Sequence, residues 1–160
     1  MSDSGSAGTV DSPVVDTIHA LWRGVYEQDW EEIKRHLHDE CIYFDVPVGP
    51  GIAAKGPANV IKRLKLAIAT TSGYEGHPGA VVTDGRHATY EHSETWTWPS
   101  EESVTLPFVS VHEIRDGKIA LWKDYWDLNT FTSACPSDWF SSLADGGGDM
   151  SWIYDATGDL

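Results

Sequence analysis

The sequence has little of what most enzyme classes and cellular addresses require. Two cysteines, Cys41 and Cys135, in 160 residues exclude a disulfide framework and make a reducing, cytoplasmic compartment the expectation. No apolar run approaches the roughly 20 residues of a membrane span. Residues 1–13, MSDSGSAGTVDSP, have neither the basic nor the apolar stretch of a secretory leader. Positive charge is scarce too: 11 Lys and Arg stand against 25 Asp and Glu, a net charge of −14. A surface of that sign repels nucleic-acid phosphates and anionic lipid headgroups, so neither nucleic acid nor a membrane is an expected partner. Paired Cys-x-x-Cys, His-Glu-x-x-His, a phosphate loop, a dinucleotide fingerprint and a Gly-x-Ser-x-Gly elbow are all missing. His36 and His38 lie two apart near a helix end, where their side chains diverge, so they are read as a solvated terminus. No metal and no cofactor are expected.

Tryptophan is what the chain has in excess, with eight residues. An indole is costly to leave in water, so several should line a core, a pocket or an interface. The length suits one domain, and 41 % hydrophobic with 22 % charged residues is ordinary for a globular one.

Residues 1–12 are small, polar and acidic and read as a loose tail. Ser12 and Pro13 then open a helix with Val14, Ile18, Leu21, Trp22 and Val25 on one stripe. Asp29 opens a short second helix. The run CIYFDVP (41–47) reads as a strand, and the Pro- and Gly-rich residues 48–57 as an irregular loop. Gly56 and Pro57 start a third helix carrying Val60, Ile61, Leu64 and Ile68. Strands follow: 74–83, 86–98, 103–114 and IALWKDYWDL, with tight turns at Asp84-Gly85 and Asp116-Gly117. A short helix is expected around Asn129–Ala134 and a further turn at 137–143. Helices first and antiparallel strands afterwards is an α+β pattern. A single domain should occupy 13–143, followed by an acidic, Gly-containing tail at 144–160 that is expected to be disordered at the surface, although its Trp152 and Tyr154 can fold back on the body.

Strand parity carries the functional signal, because alternate side chains share a face. Tyr90, His92, Glu94, Trp96 and Trp98 share one face of their strand, opposite five polar residues. Trp122, Asp124 and Trp126 share another, as do Cys41, Tyr43 and Asp45, and Leu106, Phe108, Ser110 and His112. An ionisable group among aromatics is unfavourable unless paired, since burial opposes its charged form. The economical arrangement is one pocket where Glu94, Asp124, Asp45, His92 and Tyr43 meet between aromatic walls, with the two carboxyls separated into acid and base. The plainer alternative places these groups at strand ends, their aromatics packed against a helix or a partner chain. Cys41 and His112 are read as packing residues.

The segments TYEHSETWTW and VTLPFVSVHEIRDGKIALWKDYWDL resemble the limonene-1,2-epoxide hydrolase group of the SnoaL-like, nuclear transport factor two-like superfamily. The resemblance implies a cone: a strongly curved mixed sheet with N-terminal helices enclosing a deep pocket. By it, Asp124 corresponds to the water-activating Asp and Glu94 to the acid that protonates the epoxide. His92 stands at the bridging Arg, Tyr43 at the water-holding Tyr, and Asp45 at an Asn. His in place of Arg removes a permanent, bidentate charge, and Asp in place of Asn adds a third carboxylate.

The implied activity is cofactor-independent hydrolysis of a small apolar epoxide. Trp96, Trp122, Trp126, Phe108, Leu106 and Tyr90 would then form the substrate walls. A SnoaL-like cyclase, dehydratase or ketosteroid-isomerase-type enzyme is the alternative, and a non-catalytic small-molecule binder the third. The family's habit of pairing through the sheet implies a homodimer.

Overall fold

In a computed structural model, which describes residues 12–145 and 148–160, the chain builds one long sheet with helices packed on its concave side. The expected loose tail falls on residues 1–11, outside the described residues, as do the glycines at 146 and 147.

Helix α1 (Pro13–Glu27) starts with Ser12 at its cap and Pro13 at the first position, and it buries Ile18, Leu21, Trp22 and Val25. Gln28, in the left-handed conformation, ends it by returning its N–H to the last turn. Asp29 caps α2 (Trp30–His36) by accepting the Glu32 N–H at 3.0 Å. Strand β1 (Leu37–Asp45) starts four residues before the β-branched run, because a register irregularity between Leu37 and Ile42 lets it follow a curved neighbour. The segment 48–57 is more regular than its prolines and glycines suggest. It holds a 3₁₀ turn (Pro50–Ile52) and a short strand β2 (Ala53–Lys55). Ala53 and Ala54 are fully buried, and pairing with Ile42 and Tyr43 of β1 overrides the local breakers.

Helix α3 (Pro57–Ile68) precedes β3 (Gly73–His77) and β4 (Val81–Thr83). The expected single strand at 74–83 is split because Pro78 and Gly79 cross close over β5 (His87–Thr97). A Cβ on Gly79 would stand 1.9 Å from the Glu91 carbonyl oxygen. Gly76 has a related task, since a Cβ there would lie 1.9 Å from the Tyr26 ring, so its absence lets α1 seat on β3. β6 (Ser103–Arg115) and β7 (Lys118–Tyr125) are joined by Asp116-Gly117, both at positive φ, as a type I′ turn requires.

The sheet order is β3-β5-β6-β7-β1-β2-β8, where β8 spans Ile153–Tyr154, with β4 also on β5; β1 and β7 are parallel and the other pairs antiparallel. The surface disorder expected for the tail at 144–160 is corrected for residues 148–160: β8 pairs with β2, and the segment buries Trp152 and Ala156, because Trp152 packs over Arg63 and the edge of β2 is open to pairing. Helices α4 (Leu128–Ala134), capped by Asp127, and α5 (Trp139–Asp145) close the wide end with Phe131 and Trp139. The result is a curved, unclosed mixed sheet with helices across its mouth. No helix among the described residues is long and apolar enough to cross a membrane.

Candidate active site

Register brings the polar residues of three strands into a row. Asp45 of β1 pairs with Asp124 of β7, and Asp124 pairs with Ser110 of β6. All three face the concave side. His92 of β5 stands diagonally across from Ser110, and Glu94 is two residues further along, opposite Leu106.

A cavity of about 290 Å³ occupies the concavity. Asp124, Glu94, Asp45 and Tyr43 line it, as do five of the six expected wall residues: Trp96, Trp122, Trp126, Phe108 and Leu106. Tyr90 and His92 lie behind that wall, packed against α1. Their rings stack at 4.6 Å, and the Trp22 ring stands 4.2 Å from His92.

Asp124 is the best-anchored group of the set. Ser110 Oγ and Trp122 Nε1 donate to its Oδ1 at 2.6 and 2.7 Å, and the Tyr43 hydroxyl donates to Oδ2 at 3.2 Å. Burial, followed by the neighbouring Asp45 and Glu94, raises its proton affinity well above that of an ordinary Asp, while the donors pull the other way. Glu94 accepts the Trp96 indole N–H at 2.9 Å, and Tyr74 lines the same cavity. Its carboxyl is pushed up to about 7, chiefly by burial and then by Asp45. Burial drives both upward shifts, and the two carboxyls differ in their donors: three on Asp124 against the Trp96 indole on Glu94.

His92 does not bridge the carboxylates. Its Nε2 contacts Ser110 Oγ at 2.9 Å and its Nδ1 the Tyr26 hydroxyl at 3.0 Å, so it reaches Asp124 through a serine. Burial, then His112, lowers its pKa to about 3, which leaves the ring neutral. The cation missing from β5 is supplied by α3 instead. Arg63, 8 % exposed, donates to Asp45 Oδ2 at 2.6 Å, to the Tyr43 carbonyl at 3.2 Å and to the Ile52 carbonyl. Its guanidinium also lies 4.8 Å from the Tyr43 ring and 5.2 Å from Trp152. Trp126 Nε1 donates to Asp45 Oδ1 at 2.8 Å, so both oxygens of Asp45 are engaged.

Sequence reasoning missed Arg63, Tyr74, Ser110 and the indoles of Trp22, Trp139 and Trp152 as parts of this site. Arg63 was the one with a usable signal: it falls beside Leu64 and three residues after Val60, on the buried side of its helix. His112 packs as expected, between Trp22 and the Ala88 carbonyl.

The raised proton affinity of Glu94 has a measurable consequence for stability. A carboxyl whose folded pKa of about 7 exceeds the ordinary 4.5 adds stability in full below pH 4.5, and that contribution is lost as pH rises through 7. Glu94→Gln, which keeps an oxygen for Trp96, removes the loss. Denaturant unfolding should find the variant about 3 kcal/mol more stable than wild type above pH 7.5 and equal to it at pH 4. Equal stabilities at both pH values would show that Glu94 is not held protonated.

Comparison with known proteins identifies the class. The SnoaL-like domain matches residues 18–122, and the chain belongs to that family. Among solved structures it is similar to TerC co-crystallised with polyporic acid, at 23 % identity and a TM-score of 0.69 over 77 % of this chain and 98 % of that one. It is also similar to an epoxide hydrolase of the limonene-epoxide-hydrolase-like type from M. tuberculosis, at 19 % identity and 0.65 over 84 % and 97 %. A Shewanella putrefaciens protein assigned to the SnoaL-like polyketide cyclases matches at 14 % identity and 0.67 over 76 % and 94 %. At such identities the likeness establishes the nuclear transport factor two-like fold alone.

Proposed function

We propose that this protein is a cofactor-independent acid–base enzyme that adds water to a small, uncharged, largely apolar epoxide. One observation carries the reading: two buried carboxyls with different donor sets, Asp124 and Glu94, line one aromatic cavity. Asp124 Oδ2 takes a single donor, Tyr43, and retains acceptor capacity for a water proton. Attack of that water on an epoxide carbon breaks the ring C–O bond. Asp124 takes the water's proton as Glu94 gives its own to the departing oxygen, and the product is a diol. The remaining aromatic walls select for a ring-bearing, apolar body.

A second reading is favoured by the engagement of Asp45 with Arg63 and Trp126, and by a neutral His92 behind the wall. Both features depart from a water clamp joined by a bridging cation. They suit proton transfer beside a carbonyl, as in a cyclase or isomerase, where one base and one acid suffice.

Turnover of cyclic and aryl epoxides in oxygen-18 water, beside cyclisable polyketide-like ketones, separates the two. A diol carrying one solvent oxygen in a single turnover is the expected product. Rearranged or dehydrated ketone without diol would move the assignment to the second reading. Binding without turnover of either class would leave a binding protein.

A further inference from the structure

The two buried histidines differ in what surrounds them. His112 accepts the Trp22 indole N–H on Nε2 at 3.3 Å and faces the Ala88 carbonyl with Nδ1 at 3.3 Å. An indole only donates and a carbonyl only accepts, so the His112 proton is fixed on Nδ1. His92 has a hydroxyl at each nitrogen: Tyr26 at Nδ1, 3.0 Å, and Ser110 at Nε2, 2.9 Å. A hydroxyl gives or takes, so neither neighbour fixes the tautomer. The chain ends on Asp124 Oδ1, 2.6 Å from Ser110 Oγ, and that oxygen sets the polarity of everything behind it.

We propose that Tyr26, His92 and Ser110 form a proton relay through the wall of the cavity, by which Asp124 exchanges its proton with the α1 side of the sheet and not through the substrate space. With Asp124 ionised, Ser110 donates to Oδ1, His92 Nε2–H donates to Ser110, and the Tyr26 hydroxyl donates to Nδ1. With a proton on Oδ1 every bond reverses: Asp124 donates to Ser110, Ser110 to Nε2, and Nδ1–H to the Tyr26 oxygen. One concerted shift converts the second state to the first. Asp124 gives its proton to Ser110 Oγ, Ser110 gives its own to Nε2, Nδ1 gives its own to Tyr26, and the original Tyr26 proton passes to solvent water at the half-buried α1 side. Four protons move, no atom is left with a net gain, and the imidazole is never charged. Tyr26 is half-buried, on α1, does not line the cavity, and has the Tyr90 hydroxyl at 3.3 Å as a further partner.

The catalytic use of the relay rests on Asp124 being the base proposed above. After one turnover Asp124 holds the water's proton on Oδ2, Glu94 has given its own to the diol, and the diol fills the space between them. A half-turn of the Asp124 carboxyl about Cβ–Cγ brings that proton to the Ser110 side, where the relay begins. A path behind the wall allows Asp124 to reset before the product leaves.

The test needs no substrate. Nitrogen-15 spectra of both buried imidazoles are recorded from pH 5 to 9 for wild type, Asp124→Asn and Tyr26→Phe. The groups facing the relay are Tyr90 and Glu94 from β5, His112 from β6, Tyr43 and Asp45 from β1, and Arg63 from α3. The Asp124→Asn amide keeps its oxygen on Trp122 and Ser110, which locks His92 as Nε2–H at every pH. Tyr26→Phe removes the one acceptor at Nδ1 among the described residues and locks the same tautomer. Wild type should show Nδ1–H at the acidic end, where Asp124 is protonated, while His112 remains Nδ1–H in all three proteins. A His92 tautomer identical in wild type and Asp124→Asn across the whole range would overturn the relay.

In turnover, Tyr26→Phe should lower kcat about tenfold with KM unchanged, and added imidazole should restore it. A wild-type kcat in weakly buffered solution counts against the relay. Absence of turnover by wild type, with the tautomer switch intact, counts instead against the assigned reaction.

Discussion

Replacing Asp124 by Asn should lower kcat by about 100- to 10,000-fold and leave KM nearly unchanged, because the change removes the proton acceptor and little else. The amide oxygen still accepts from Ser110 and Trp122, and the new N–H group meets the Tyr43 hydroxyl, which can accept. The fold should hold: a buried carboxyl has been exchanged for a neutral group of the same shape, so thermal unfolding should match or exceed wild type. Steady-state kinetics on the substrate found in oxygen-18 water, with a melting curve on the same preparation, provides the check. Retention of more than a tenth of the wild-type kcat would remove Asp124 from the reaction.

Arg63→Met should instead damage the fold. Arg63 is the sole cation in contact with the Asp45 carboxylate among the described residues, and it also satisfies the carbonyls of Tyr43 and Ile52. Its loss leaves a mostly buried carboxylate with only the Trp126 indole, along with two acceptors lacking their donor. Breaking a buried pair from one side typically destabilises by about 3–5 kcal/mol. For a chain of this size that corresponds to a melting temperature lower by about 10 °C at pH 7. Asp45→Asn in the same protein should recover part of the loss, since it removes the unpaired charge. A melting temperature within 2 °C of wild type would mean, at about 2–4 °C per kcal/mol, that water replaces the guanidinium at little cost.

These two residues also show how legibility differed across the chain. Asp124 was visible because strand parity is a local rule. Residues 122, 124 and 126 must share a face wherever the strand runs, and an acid between two indoles on that face is conspicuous. The same rule marked Glu94, Tyr43 and Asp45, which all line the cavity. It marked His92 and Tyr90 as well, but parity assigns a face, not a depth. α1 packs over part of the concave side, so these two rings are covered by Trp22 while Trp96 further along is left facing open space. Arg63 was harder still, because its partner lies 18 residues away on another element, and helical periodicity does not say what a buried guanidinium will meet. The C-terminal segment presented Trp152 and Tyr154 plainly, yet their place beside Arg63 and on the edge of β2 depends on a strand that Pro- and Gly-rich residues concealed.

The sequence by itself determined the helices first and antiparallel strands after, the turns at Asp84-Gly85 and Asp116-Gly117, and that Glu94, Asp124, Asp45 and the aromatics of their strands share inward faces. These follow from periodicity, turn chemistry and the energetics of burying charge, all of which act over a few residues. Only the tertiary structure decided that Asp45 is paired by Arg63, that Ser110 stands between His92 and Asp124, and that Asp124 is held by three donors from β1, β6 and β7. The register between strands distant in sequence sets those contacts, and their proton affinities follow from the burial and neighbours that this register imposes.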